Sequence, residues 1–362
     1  MIGKVAVMDK PGTLSFREIE LPEVEPGAVL IRVTRTNVCG SELHIWQGHH
    51  PTKKSGVLGH EMVGRIERLG SGVETDFAGQ KVQVGDRVAA TYFLTCRKCP
   101  PCQQGHFHLC ENAYKYWVKD VDEAPHFHGT FATHYYVHPD QYFYKVPDNV
   151  PDYAAASANC ALSQVYFGIE MANLHYGQSI VIQGAGGLGL NAAAVAKEFG
   201  ATVIVIDGVK SRLDKAKLFG ADYVIDMNEF DTLKKRAKAI QELTGGVGAD
   251  VGMELTGVPA AFNEGIHLIR PGGTYVSIGN ISPGKMTPFD PGLMTRKSIR
   301  IISLVRYNPW YLHKALQFLS RTIDKYPFEE LVDSTFTLDE IQLALDKSAA
   351  REITRASIVV SS

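Results

Sequence analysis

Residues 179–207 constrain the fold of this chain more than any other stretch. They begin with the apolar run Ser179-Ile180-Val181-Ile182-Gln183 and pass through Gly184-Ala185-Gly186-Gly187-Leu188-Gly189. A helix-like segment over 190–200 follows, then a second apolar run over 202–206 that ends in Asp207. Strand, glycine turn, helix and strand in that order make a βαβ unit, whose two strands can pair only in parallel. The alternation continues through the helix-like 211–220 and the strand-like runs at 223–227, 249–254, 273–279 and 298–305. Apolar strands alternating with amphipathic helices predict an α/β fold with a doubly wound parallel sheet over residues 161–303.

The glycine turn matches GxGxxG, a weak signal alone and a stronger one between a strand and a helix. Glycines let the backbone turn tightly and approach a pyrophosphate closely. The helix N-terminus then offers free N–H groups and a favourable dipole. Asp207 stands eighteen residues after Gly189. A carboxylate there accepts hydrogen bonds from adenosine ribose hydroxyls and repels a 2′-phosphate, which predicts NAD rather than NADP. Gly184, Gly186, Gly187, Leu188, Gly189, Asp207 and the nearby Arg212 form the candidate cofactor site. The alternative, an ordinary strand–helix turn beside a solvated Asp, leaves the shared register of strand, turn, helix and acid unexplained.

The first half of the chain reads differently. Short β-like runs at 4–8, 28–36, 62–70, 86–93 and 131–139 are separated by Gly and Pro, which predicts a β-rich lobe over 1–160. Beyond about residue 309 come two helices and an apolar strand at 356–360, so 304–362 is expected to return to that lobe. The net charge of −2 gives no electrostatic reason to bind nucleic acid or an anionic membrane. The longest stretch free of charged residues, 171–196, carries His175, Asn191 and a run of glycines, which suits strand–turn–helix and not a membrane span. The first residues, with Lys4, Asp9 and Lys10, do not form a signal peptide, and a cytoplasmic location is expected.

The six cysteines are Cys39, Cys96, Cys99, Cys102, Cys110 and Cys160. Four lie within fifteen residues, too clustered for a disulfide framework, and Cys96-x2-Cys99-x2-Cys102-x7-Cys110 has the spacing of a metal loop. An iron–sulfur cluster of the bacterial type would place its fourth Cys three residues on and follow it with Pro. Here the gap is seven and Glu111 follows, so a closed, structural four-thiolate zinc site is predicted. His106 and His108 lie inside the loop and are expected at its surface.

Cys39-Gly40-Ser41-Glu42-Leu43-His44 and Gly59-His60-Glu61 bring thiolate, hydroxyl, imidazole and carboxylate into two short segments. Taken with the cysteine loop, the Cys160 segment and the glycine turn, in that order, they resemble the medium-chain, zinc-containing alcohol dehydrogenases along essentially the whole chain. The resemblance implies a GroES-like β-rich catalytic domain plus a Rossmann domain, with the active site in the cleft between them. It implies Cys39, His60 and Cys160 as ligands of a catalytic zinc with one open position, hence two Zn2+ per chain. Glu61 is implied as the adjacent acid that orients the site, Ser41 as acceptor of the substrate proton, and His44 as its route to solvent. Arg355 resembles an Arg that reaches the cofactor pyrophosphate. A homodimer or homotetramer is implied as well.

The chain departs from the family pattern at Glu42, where Asp is usual, and at Gln164, where a small hydroxylated residue is usual. Zinc lowers the pKa of bound water from about 15.7 to about 7, and an alcohol is acidified in the same way. Aromatics at Trp46, Tyr92 and Phe93 and over 114–117 predict an apolar substrate pocket for a bulky, uncharged alcohol, secondary, cyclic or aromatic, and its aldehyde or ketone. A polyol dehydrogenase of the same superfamily would commonly carry Glu as third ligand, and residues 151–165 contain none. A non-catalytic nucleotide-binding relative has no use for the Cys39, Ser41, His44, His60 and Cys160 set.

Overall fold

The computed structural model describes residues 1–49 and 56–360. The chain divides into two compact units, 1–163 with 308–324 and 328–362, and 164–307 with 325–327. The short stretch 325–327, expected in the first lobe, belongs to the second unit.

The first unit is built on β-structure. Its strands are β1 (Ile2–Lys10), β2 (Thr13–Glu20), β3 (Val29–Asn37), β4 (Gly56–Val57), β5 (Glu61–Leu69), β6 (Arg87–Leu94), β7 (His134–Val137) and β8 (Gln141–Lys145). A small sheet runs β2-β1-β4, and a larger one pairs β3 with β5, β5 with β6, and β6 with β8, all antiparallel. Apolar side chains from β3, β5 and β6, with Tyr135, Val137 and Phe143, close one core over this sheet. Each fully buried Val, Ile or Phe there contributes about 1.5–3 kcal/mol.

The second unit carries β9 (Ser179–Gln183), β10 (Thr202–Asp207), β11 (Tyr223–Asp226), β12 (Ala249–Glu254), β13 (Ile269–Ser277) and β14 (Arg300–Ser303). They form one parallel sheet in the order β11-β10-β9-β12-β13-β14. β9 and β10 are buried on both faces, which is why they read as continuous apolar runs without alternation. The chain winds outward from β9 to β11, then restarts at β12 on the other side. The switch point therefore lies between β9 and β12. The uncharged stretch 171–196 folds as β9 and the helix Gly187–Glu198.

Two last strands, β15 (Ser334–Thr337) and β16 (Ala356–Val359), return to the first unit, where β16 pairs antiparallel with β3. Among the described residues no helix is long and apolar enough to cross a membrane.

Candidate active site and metal centres

Cys96, Cys99, Cys102 and Cys110 bring their four sulfurs within 4.8 Å of one another, an arrangement that could hold a metal ion. None of them is in a disulfide. The loop shapes itself locally, Cys99 beginning a helical turn with Pro100 and Pro101 in its first positions. Proline suits this place, because its missing N–H would have no intrahelical partner there. The Cys110 and Cys96 sulfurs accept backbone N–H bonds from Cys96 (3.3 Å) and Cys99 (3.4 Å). Against burial, such backbone bonds draw the Cys96 thiol down to about 6, favouring the thiolate that a metal requires.

His108, expected at the surface, is buried instead. Its backbone N–H and its ring Nδ1 both reach Asn308 Oδ1, at 3.1 and 3.0 Å. Phe107 meets Trp310 edge-on at 5.6 Å. The loop has little core of its own, and these contacts hold it to residues two hundred positions later.

The second cluster gathers Cys39, His60, Glu61 and Cys160, whose donor atoms also lie within 4.8 Å of one another. Cys39 precedes the helix Gly40–Trp46, His60 and Glu61 stand at the entry to β5, and Cys160 sits on a π-helical turn at Ala158–Leu162. Such turns insert one residue into helical winding and recur at functional sites. The Cys160 sulfur lies 3.8 Å from that of Cys39 and 3.3 Å from His60 Nε2.

The neighbours hold these groups in place. Glu42 Oε1 lies 2.5 Å from His60 Nδ1, and Glu42 Oε2 accepts the Cys39 N–H at 3.2 Å. The longer side chain at this departure from the family pattern reaches the imidazole without difficulty. With Nδ1 engaged, Nε2 is the nitrogen left to face the sulfurs. Burial alone would lower the His60 pKa, yet Glu42 and Cys39 carry it well above the usual imidazole range. The hydrogen bond from Cys160 draws the Cys39 thiol well below its ordinary value despite burial, and His60 and Arg355 add to the effect. Asn159, which carries no sequence signal of its own, donates from Nδ2 to the carbonyls of His60 and Ala90, both at 2.8 Å. It thereby ties the Cys160 turn to β5 and β6.

Glu61 is fully buried, and burial pushes its carboxyl up to about 7 despite the opposing Arg355 charge. Oε2 pairs with Arg355 Nη2, while Oε1 has no hydrogen-bond partner. The Arg355 side chain is itself nine-tenths buried, its Nη2 turned to Glu61. A set of two sulfurs, one imidazole and one unpartnered carboxylate oxygen, all buried but the half-buried Cys39, fits a divalent metal in donor chemistry and in spacing.

Ser41 and His44 lie three residues apart on the helix after Cys39, and thus on one helical face. Tyr92 places its ring 4.8 Å from that of His60. Trp46, expected beside the substrate, lies in the core instead. It is 3% exposed, packs with Met8, Leu58 and Trp117, and donates its indole N–H to Asp346 at 3.2 Å. Phe93 is likewise core. Periodicity cannot separate these two uses of an aromatic side chain.

In the second unit Gly184 has φ of +100°, and a Cβ on Gly189 would overlap the Gly184 carbonyl oxygen. Both positions need glycine. Nothing lies within 4 Å of a Cβ built on Gly186, which opens the loop on that side. The helix Gly187–Glu198, whose first turn includes Leu188, starts from Gly186 with no side-chain cap, so its first N–H groups point outward. Asp207, at the end of β10, accepts from Ala185 N–H (2.7 Å) and Val209 N–H (2.9 Å). Arg212 lies in the following helix Lys210–Leu218, half-buried. Gln164 is buried, with its Nε2 3.5 Å from the Leu304 carbonyl.

Fold and clusters together define a metal-binding, nucleotide-type oxidoreductase architecture, and known proteins agree with it. The alcohol dehydrogenase GroES-like domain family matches residues 25–148, and the zinc-binding dehydrogenase family matches 187–321. A 5-exo-hydroxycamphor dehydrogenase from Pseudomonas putida is 32% identical over 346 residues, covering 95% of this chain and 94% of that one. A D-xylulose reductase A from Aspergillus oryzae is 32% identical over 343 residues, covering 93% and 91%. A solved alcohol dehydrogenase from Thermotoga maritima matches with a TM-score of 0.94 and 28% identity over 100% of both chains. The chain belongs to the medium-chain, zinc-containing alcohol dehydrogenase family and is a dehydrogenase.

Proposed function

We propose that this dehydrogenase transfers hydride between an uncharged alcohol and NAD, using a zinc held by Cys39, His60 and Cys160. The observation that carries this reading is the convergence of those three donors from separate elements, with Glu42 braced behind the imidazole. Cys96, Cys99, Cys102 and Cys110 would hold a second, structural zinc. Bound zinc acidifies an alcohol, and bound nicotinamide accepts the hydride. The protein's own groups do the rest. Ser41 takes the hydroxyl proton and His44, one helical turn on, passes it toward solvent. Glu61 orients the site beside Cys39 and His60, and Arg355 balances the charge of Glu61.

In the second unit the glycine loop and the uncapped helix end receive the pyrophosphate, with Arg212 near the adenosine end. Asp207 keeps lone pairs for ribose hydroxyls, and its charge disfavours a 2′-phosphate. The relation to a hydroxycamphor dehydrogenase supports a bulky alcohol substrate, with Tyr92 against it. A cytoplasmic homodimer or homotetramer completes the reading.

A second reading, polyol oxidation, is favoured by the relation to a D-xylulose reductase. The thiolate at Cys160, where polyol enzymes commonly carry Glu, weighs against it. Metal analysis and a substrate panel separate the two. Two zincs per chain and NADH formation with cyclic or aromatic alcohols are expected. Iron, a single zinc, or turnover of polyols alone would overturn the first reading. Asp207→Gly is expected to weaken the preference for NAD over NADP, and an unchanged ratio would remove Asp207 from cofactor choice.

A further inference from the structure

A buried carboxylate outside the metal centres gathers five hydrogen bonds. Glu254, the last residue of β12, is completely buried. Its Oε1 accepts from the Thr256 N–H (2.7 Å), the Thr256 hydroxyl (2.9 Å) and the Gly257 N–H (2.7 Å). Its Oε2 accepts from the Asn280 N–H at 3.0 Å and, more weakly, from the Ser277 hydroxyl at 3.5 Å. The first three donors lie just after β12, and the other two lie at and beyond the end of β13. One side chain therefore clamps the turns that leave two neighbouring strands.

The clamp is close-packed. A Cβ on Gly279 would stand 2.6 Å from the Gly257 nitrogen and 2.7 Å from Glu254 Oε1. The turn after β12 also backs the glycine loop. Leu255 N–H donates to the Gln183 carbonyl at 3.0 Å, and a Cβ on Gly184 would meet Thr256 Cγ2 at 3.0 Å. Through Leu255 and Thr256, Glu254 thus supports Gly184 from behind. β9 and β12 flank the switch point of the sheet, and open parallel sheets bind ligands outside the strand carboxyl ends at that point.

We infer that Glu254 is a positioning residue for the dinucleotide, fixing the turns after β12 and β13 against the glycine loop so that the loop is preformed before cofactor arrives. This inference rests on the NAD reading above. All five donors are neutral, and charge-assisted bonds to neutral groups are about twice as strong as neutral pairs. An amide of the same size cannot replace the carboxylate. Whichever way the side-chain amide of a Glu254→Gln variant turned, its NH2 group would face backbone donors on one side.

The test uses the zinc-loaded full chain. Glu254→Gln is expected to raise the NADH dissociation constant and the KM for NAD about tenfold or more, the scale of a lost charged hydrogen bond. Zinc content, and KM for the alcohol at saturating NAD, should stay within about twofold. Should Glu254→Gln fail to fold, Thr256→Val removes one donor at an exposed position and is expected to shift the same constants about threefold in the same direction. A variant that melts earlier yet binds NADH as the parent does overturns the inference and leaves Glu254 a purely structural residue. A parent protein that binds neither NADH nor NADPH overturns the cofactor reading and this inference together. A parent that binds, with both variants unchanged, overturns the inference alone.

Discussion

The two sulfur clusters belong to one compact unit and are assembled by opposite rules. The four-cysteine loop collects its donors within fifteen residues, by turns that close on their own backbone. The other cluster draws Cys39, His60 and Cys160 from positions up to 121 residues apart, and it depends on side chains outside the donor set. Glu42 holds His60, Asn159 holds the Cys160 turn, and Arg355 pairs with Glu61. A local cluster owes its geometry to spacing. A dispersed one owes it to the fold, so damage to the fold reaches it first.

Removing a donor should show this contrast most strongly. Cys160→Ala is expected to lower turnover about a thousandfold or more, since Lewis-acid stabilisation supplies several kcal/mol of the barrier, while NADH binding measured by fluorescence stays intact. Full activity in that variant would take Cys160 out of the zinc shell. Cys102→Ser should instead cost stability, with one zinc lost per chain and a clear fall in Tm at unchanged cofactor affinity. An unaltered melting curve would deprive the loop of its structural role.

The supporting residues come next. Glu42→Gln is expected to reduce metal affinity or activity about 10- to 100-fold, the usual cost of losing a carboxylate behind a ligating imidazole. Equal metal retention in parent and variant under chelator challenge would show that His60 needs no such brace. The smallest effect belongs to the loop anchor. His108→Ala should destabilise the protein by about 1 kcal/mol through the lost ring bond to Asn308, whose Oδ1 keeps the backbone N–H of residue 108, with activity at low temperature preserved. A loss of turnover without a loss of stability would mean that the loop serves the chemistry directly.

The same contrast governs what could be read from the sequence. The glycine loop and the cysteine loop announce themselves because their chemistry depends on residues a few positions apart. The parallel sheet is legible for a related reason, since strands buried on both faces leave unbroken apolar runs. Cys39, His60 and Cys160 stand out only through resemblance, as do Glu42 and Arg355 beside them, and Asn159 does not stand out at all. Asn159 looks like any polar residue until its amide is seen bridging the His60 and Ala90 carbonyls. Glu42 stands out as a departure from the family pattern, and the structure supplies the geometry of its reach to His60 eighteen residues away. Trp46 shows the opposite error, because a bulky aromatic near a site suggests a substrate wall and here fills the space beside Trp117 and Leu58. His108 reads as a surface residue because four thiolates already complete the metal loop, and the partner that buries it, Asn308, lies two hundred residues downstream.

Asp207 brings a further consequence for anyone redesigning the coenzyme preference. Its two oxygens already tether Ala185 and Val209, so the residue proposed to discriminate also stitches the loop proposed to receive the coenzyme. Trading it for a small or basic side chain to admit a phosphorylated ribose unpicks that stitch in the same stroke. Redesign at this position should begin with weaker binding of both coenzymes. Recovering affinity then requires a new anchor for the Ala185 amide before any new contact to phosphate can tell.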